Sequence, residues 1–145
     1  MITTLRAENI YNYAVAISGI TSLCELFSLK PDENDTPDWS YCYINIISNS
    51  PSVYSNQWYL MKIARVSFHI VCKKSLWADD TPERVLMSIV DAVNNNLVSN
   101  GQMSMVDWFV CSSIVEDTIS PIFQADNRHY VVKDYLFNYS SISDV

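Results

Sequence analysis

Glycine is nearly missing from this sequence: Gly19 and Gly101 are the only two in 145 residues. That scarcity excludes the phosphate-cradling P-loop, the dinucleotide-binding fingerprint and the nucleophile elbow, each of which needs glycines at fixed spacing. Long apolar runs are missing too. No stretch reaches the roughly 18 consecutive apolar residues of a membrane-spanning helix, and residues 1–6 lead into polar, helical sequence rather than a secretory leader. The expected setting is a cytosol. Cationic residues are few, nine Lys and Arg against sixteen Asp and Glu, which leaves a net charge of −7. Nucleic acid or an anionic membrane as the main target would need a cationic footprint that this chain lacks. The four cysteines, Cys24, Cys42, Cys72 and Cys111, include no C-x-x-C pair. Neither a zinc site nor a disulfide framework is indicated, and four buried free thiols are expected.

What is present is apolar and aromatic. Hydrophobic residues make up 49% and charged residues 17%, a globular composition. The length suits a single domain over residues 1–145, burying roughly 68–70% of the surface that its unfolded chain exposes. Four Trp and nine Tyr are more amphipathic bulk than one small core needs, so some should meet a partner.

Leu5, Ile10, Tyr13, Ala14 and Ile17 recur at helical spacing behind a Thr3 or Thr4 cap, and Ser18-Gly19 ends that helix. Residues 20–29 fit a helical turn or a strand, and residues 30–40 form a solvated loop. Residues 41–47 predict a buried strand, closed by a turn at Ser48-Asn49-Ser50-Pro51. From Lys62 to Lys73, Ala64, Val66, Phe68, Ile70 and Cys72 alternate with Arg65, Ser67 and His69, so one strand face is core and the other is wet or partnered. Asp80-Thr81-Pro82-Glu83 predicts a helix start, Leu86, Ile89, Val90, Val93 and Leu97 a buried stripe, and Asn100-Gly101 a stop. Met105 to Ile119 is one bent strand or two, broken at residues 119–122. A turn is expected over residues 124–129, then a strand from Tyr130 to Tyr139 that is apolar on both faces, as a central or interfacial strand would be. The fold class is α+β: a single domain with a mostly antiparallel sheet packed against two helices.

No gathered chemistry emerges. His69 and Cys72, three apart on a strand, point to opposite faces. The acidic run Asp32-Glu33-Asn34-Asp35 lacks the glycine and the bidentate glutamate of a calcium loop, having Pro37 and Tyr43 there. Adjacent Glu116 and Asp117 point apart on a strand, against a paired-carboxylate catalyst. His129 has no evident nucleophile or carboxylate beside it in sequence. No catalytic residue, metal ligand or cofactor is expected.

The order of elements over nearly the whole chain, closing with Lys133-Asp134-Tyr135-Leu136-Phe137-Asn138-Tyr139, resembles the tail terminator proteins of long-tailed phages. The resemblance implies a non-enzymatic virion protein of the tail or neck, assembled in the bacterial cytoplasm. It implies a homo-oligomeric ring, usually a hexamer, that caps the tail-tube protein and stops its growth. The other side of the ring docks the head or neck connector protein, and DNA passes through the lumen without sequence-specific binding. Acidic residues on the lumen wall would keep that DNA from sticking. Arg65, Ser67 and His69, with Tyr135, Phe137 and Tyr139, are the candidate subunit or partner contacts. The alternative for the aromatic trio is core, and for the polar trio simple solvation. Other readings are a head-closure or head-tail joining protein, a hydrolase with a dispersed site, and a monomeric adaptor.

Overall fold

The computed structural model describes residues 4–37, 39–51, 61–73, 81–98 and 104–141. Within them the chain forms three helices and a seven-stranded mixed sheet. Helix α1 spans Ala7–Ala14 and the one-turn α2 spans Ser18–Thr21. Strand β1 (Glu25–Phe27) follows, then a 3-10 turn at Glu33–Asp35 within the predicted solvated loop. Strands β2 (Ser40–Pro51) and β3 (Lys62–Lys73) precede the long helix α3 (Pro82–Leu97). The chain closes with β4 (Ser104–Val106), β5 (Phe109–Ile119), β6 (Phe123–Ala125) and β7 (Arg128–Ser141).

The strand order is β1-β2-β3-β7-β5-β4, with β6 paired to β7 beside β5. Strand β7 therefore lies inside the sheet, which accounts for its apolar residues on both faces. The sheet is not purely antiparallel: β1 pairs parallel to β2, Leu26 beside Cys42. A parallel neighbour needs a crossover, here the loop through residues 28–39. Nothing in the local pattern of residues 20–29 announced it.

All three helices place buried residues in one core with the inner sheet face. The α3 stripe Leu86, Ile89, Val90, Val93 and Leu97 is buried as its spacing predicts, each side chain contributing about 1.5–3 kcal/mol of burial. Opposite it lie Ala64, Val66, Phe68, Ile70 and Cys72 of β3.

Local expectations are revised in four places. The cap of α1 is Arg6, whose backbone N–H donates to Asn9 Oδ1 at 2.9 Å; Thr4 is outside the helix and Thr3 outside the described residues. The cap of α3 is Thr81, whose hydroxyl accepts from the Arg84 N–H, while Asp80, Asn100 and Gly101 lie outside the described residues. Ser48-Asn49-Ser50-Pro51 is strand, not turn, because it pairs with Lys62–Arg65 after a bulge at Ile47. The polar segment 124–129 contains only a two-residue turn, Asp126-Asn127, both at positive φ (52° and 62°) as a tight hairpin requires.

All four cysteines are free and buried. Burial pushes the Cys24 and Cys111 thiols up to about 12 and raises those of Cys42 and Cys72. A thiol reagent at pH 8 is expected to label none of them in the folded chain and all four in denaturant. Rapid labelling of even one in native conditions would contradict this core.

Candidate interaction surface

The six residues singled out in the sequence do not share a surface. Register explains why: Tyr135 pairs with Val66 and Phe137 with Ala64, so the aromatic trio faces inward with the core residues of β3. Tyr135, Phe137 and Tyr139 are 0% exposed. The Tyr135 hydroxyl donates to Asn94 of α3 and the Tyr139 hydroxyl to Asn49 of β2. The Leu5 N–H donates to the Tyr139 oxygen at 3.2 Å. These side chains tie the helix and the N-terminal segment to the sheet, and burial raises both phenol pKa values. As contacts for a partner they are corrected to core.

Arg65, Ser67 and His69 lie on the opposite face, which carries no helix among the described residues. Cross-strand register arranges this face in rows. Val132, His69, Tyr43 and Phe27 form one, running across β7, β3, β2 and β1. Phe123, Tyr130, Val71 and Tyr41 form its neighbour. His69 stacks on Tyr43 with centroids 4.5 Å apart, Phe123 stacks on Tyr130 at 5.2 Å, and Arg128 Nη1 donates to the Tyr41 hydroxyl at 3.3 Å. One end of the face is thus aromatic, with Tyr41 and Val71 of the second row buried.

The next row is polar and centres on Asp134. Strand β5 bulges between Glu116, opposite Tyr135, and Ile119, opposite Lys133, so both Asp117 and Thr118 fall beside Asp134. Asp134 Oδ1 accepts from the Ser67 hydroxyl at 2.5 Å, and Oδ2 accepts from Thr118 at 2.9 Å. Arg65 binds both acids, with Nε 3.0 Å from Asp117 and Nη2 3.3 Å from Asp134. A carboxylate only 8% exposed is therefore fully partnered, as a buried charge must be. Glu116 and Asp117 do diverge: Glu116 leaves toward Lys133 Nζ at 2.9 Å. Asp134, Thr118 and Asp117 were not among the sequence candidates. The available signal was a lone acid amid the apolar alternation of Tyr130, Val132 and Leu136.

Among the described residues no group of three or more His, Cys, Asp or Glu is placed to hold a metal. The arrangement is a stacked aromatic end beside a preorganised polar centre whose charge is already compensated.

The class defined by this geometry is a single-domain fold with helices on one face of a mixed sheet and, among the described residues, none on the other. No protein-family model matches the sequence, and no curated protein is significantly similar to it. The fold itself recurs in a solved structure described as "Virion of native gene transfer agent (GTA) particle". The two chains share a TM-score of 0.56 at 9% identity, over 93% of this chain and 94% of that one. The likeness is one of fold, from end to end.

Replacing Asp134 with Ala strands the Ser67 and Thr118 hydroxyls and removes one of the two acids of Arg65. The expected loss is about 1–3 kcal/mol in urea unfolding, and a change within experimental error would mean that the network is idle. His69 supplies a second check. Burial lowers its pKa below the ordinary 6.5, the Asp134 carboxylate opposing and Lys30 assisting. From 6.5 down to that lowered value the unfolded chain takes a proton that the folded chain refuses, so stability falls as pH falls through this window. His69→Gln should flatten the slope of the urea midpoint between about pH 7 and pH 5; an unchanged slope would place the titration elsewhere.

Proposed function

We propose that this chain is a structural virion protein and, more narrowly, a tail terminator. Copies close into a ring, six by the family resemblance, on the last ring of tail-tube protein and halt its growth. The other side of the ring receives the head or neck connector, and DNA passes through the lumen. The observation that carries the reading is the fold shared end to end, 93% of this chain and 94% of the other, with a chain of a particle described as a virion. The sheet face that carries no helix among the described residues supports it. Arg65 and His69 offer a charged group and a ring held in fixed geometry, which costs less entropy on docking than free side chains do; Ser67, 2% exposed and donating to Asp134, is buried support rather than a contact. The net charge of −7 per copy suits a wall that must not hold DNA. No catalytic role is assigned to any residue.

Particles made in cells lacking this gene, imaged by negative stain, separate the readings. Overlong, headless tubes are expected for a terminator. Tails of normal length without heads would instead indicate a head-tail joining protein, and intact infectious particles would remove the chain from the assembly altogether.

A further inference from the structure

Two residues on the sheet face away from the helices are covered, although no helix lies over them among the described residues. Tyr41 is 4% exposed and Val71 0%, and both belong to one cross-strand row on that face. The parallel entry of β1 supplies the cover. Phe27 ends β1 beside Tyr43, whereas β2 begins at Ser40, so the connecting chain has to travel back along β2. It returns over this face. Lys73, at the end of β3, donates from Nζ to the Thr36 hydroxyl at 2.6 Å and to the Thr36 carbonyl at 3.4 Å. Earlier in the segment, Glu33 adds to the rise that burial gives the Tyr41 pKa, and Lys30 adds to the fall that burial gives the His69 pKa. Lys30, Glu33 and Thr36 thus follow His69, Tyr41 and Lys73 in order along the face.

The segment is thinly fastened. Residues 28–37 contain no buried residue, and Leu29 is 74% exposed. With no apolar anchor of its own, the segment loses little burial on lifting, the mark of a region that opens locally. What holds it is polar. The Thr36 hydroxyl accepts from Lys73 and donates to the Glu33 carbonyl at 2.8 Å, and the Asp35 N–H donates to the Asp32 carbonyl at 2.9 Å, which makes the 3-10 turn and the Lys73 contact one unit. Asp32, Glu33 and Asp35 outnumber Lys30 in the segment, while Lys73 and Arg128 lie opposite each other at the ends of β3 and β7. Acids above and bases below draw the segment onto the sheet.

We propose that residues 28–37 are a strap that lifts off the sheet while the rest of the fold stays closed, with the contact between Lys73 and Thr36 as its latch. Lifting uncovers Tyr41 and Val71. The strap pivots where it joins β1 and β2, both held in the sheet by their own pairing. Closed, it keeps two apolar positions of the aromatic end out of water; open, it presents them beside the stacked pair Tyr43 and His69. The device is a property of the fold and stands whether or not the chain caps a tail.

Val71→Cys puts a probe beneath the strap. In the folded chain a thiol reagent should modify the new thiol slowly and leave the four native ones, which lie in the helix-side core, untouched. Adding Thr36→Val or Lys73→Met should speed that modification about tenfold or more, the weight of a hydrogen bond to a charged group, with the circular dichroism unchanged and the native thiols still protected. A new thiol that reacts at the same rate with and without the latch, that reacts only together with the native four, or that reacts as fast as a free thiol before the latch is altered would overturn the strap. Proteolysis of the chain without the Val71→Cys change reads the same opening and decides the matter if that variant does not fold. Endoproteinase Glu-C should cut first after Glu33, and about tenfold faster in the Thr36→Val chain. A first cut elsewhere, or a rate indifferent to Thr36→Val, would count against the latch and with it the proposal.

Discussion

The pairing of β3 with β7 is the constraint on which the rest depends. These two strands run antiparallel through the middle of the sheet, from Lys62 beside Tyr139 to Lys73 beside Arg128. Side chains alternate across a strand, so this single register assigns every residue of both to a face at once. It puts Phe68 against Tyr135 with ring centroids 5.4 Å apart on the helix side, and Ser67 against Asp134 on the other. A slip of one residue would bury Arg65 and expose Phe137, a cost no local adjustment could offset.

Three devices hang from that register. The Tyr135 and Tyr139 hydroxyls fasten α3, β2 and the N-terminal segment to the sheet. Bulges in β5 restore its alternation: with Ser112 unpaired, Phe109, Cys111 and Ile114 can all reach the core. The second bulge brings two residues of β5 to Asp134. What remains is a face with its charges already neutralised in the chain. Desolvating such a face against a partner costs less than burying loose ions.

Much of the fold was legible in residue patterns. Strand β3 begins and ends where its alternation does, Lys62 to Lys73, and the five apolar residues of α3 lie on the buried side as their spacing requires. Hydrophobic period is a one-dimensional signal that burial reproduces directly. The failures came where pairing overrides propensity. Ser48-Asn49-Ser50-Pro51 has turn chemistry, yet a long partner strand holds it extended, and Pro51 fits at the strand end, where a missing N–H is tolerated. Half of the candidate contact set failed for a related reason: aromatic residues suit cores and interfaces equally, and nothing in the run from Tyr135 to Tyr139 distinguishes them.

By itself the sequence determined the class of the domain, the central strand, the amphipathic helix, the buried thiols, and the want of motifs for phosphate or dinucleotide binding. These follow from composition and from spacing along the chain, which local sterics and burial read without knowledge of the fold. Only the tertiary structure decided which face of β7 meets the helices, that β1 joins in parallel, that Asp134 gathers Ser67, Thr118 and Arg65, and that Trp108 stands exposed on a turn clamped to α1. Each of these joins residues tens of positions apart, or depends on a bulge that shifts the count by one. Contact across such separations is a property of strand register, and register is settled when the whole core closes.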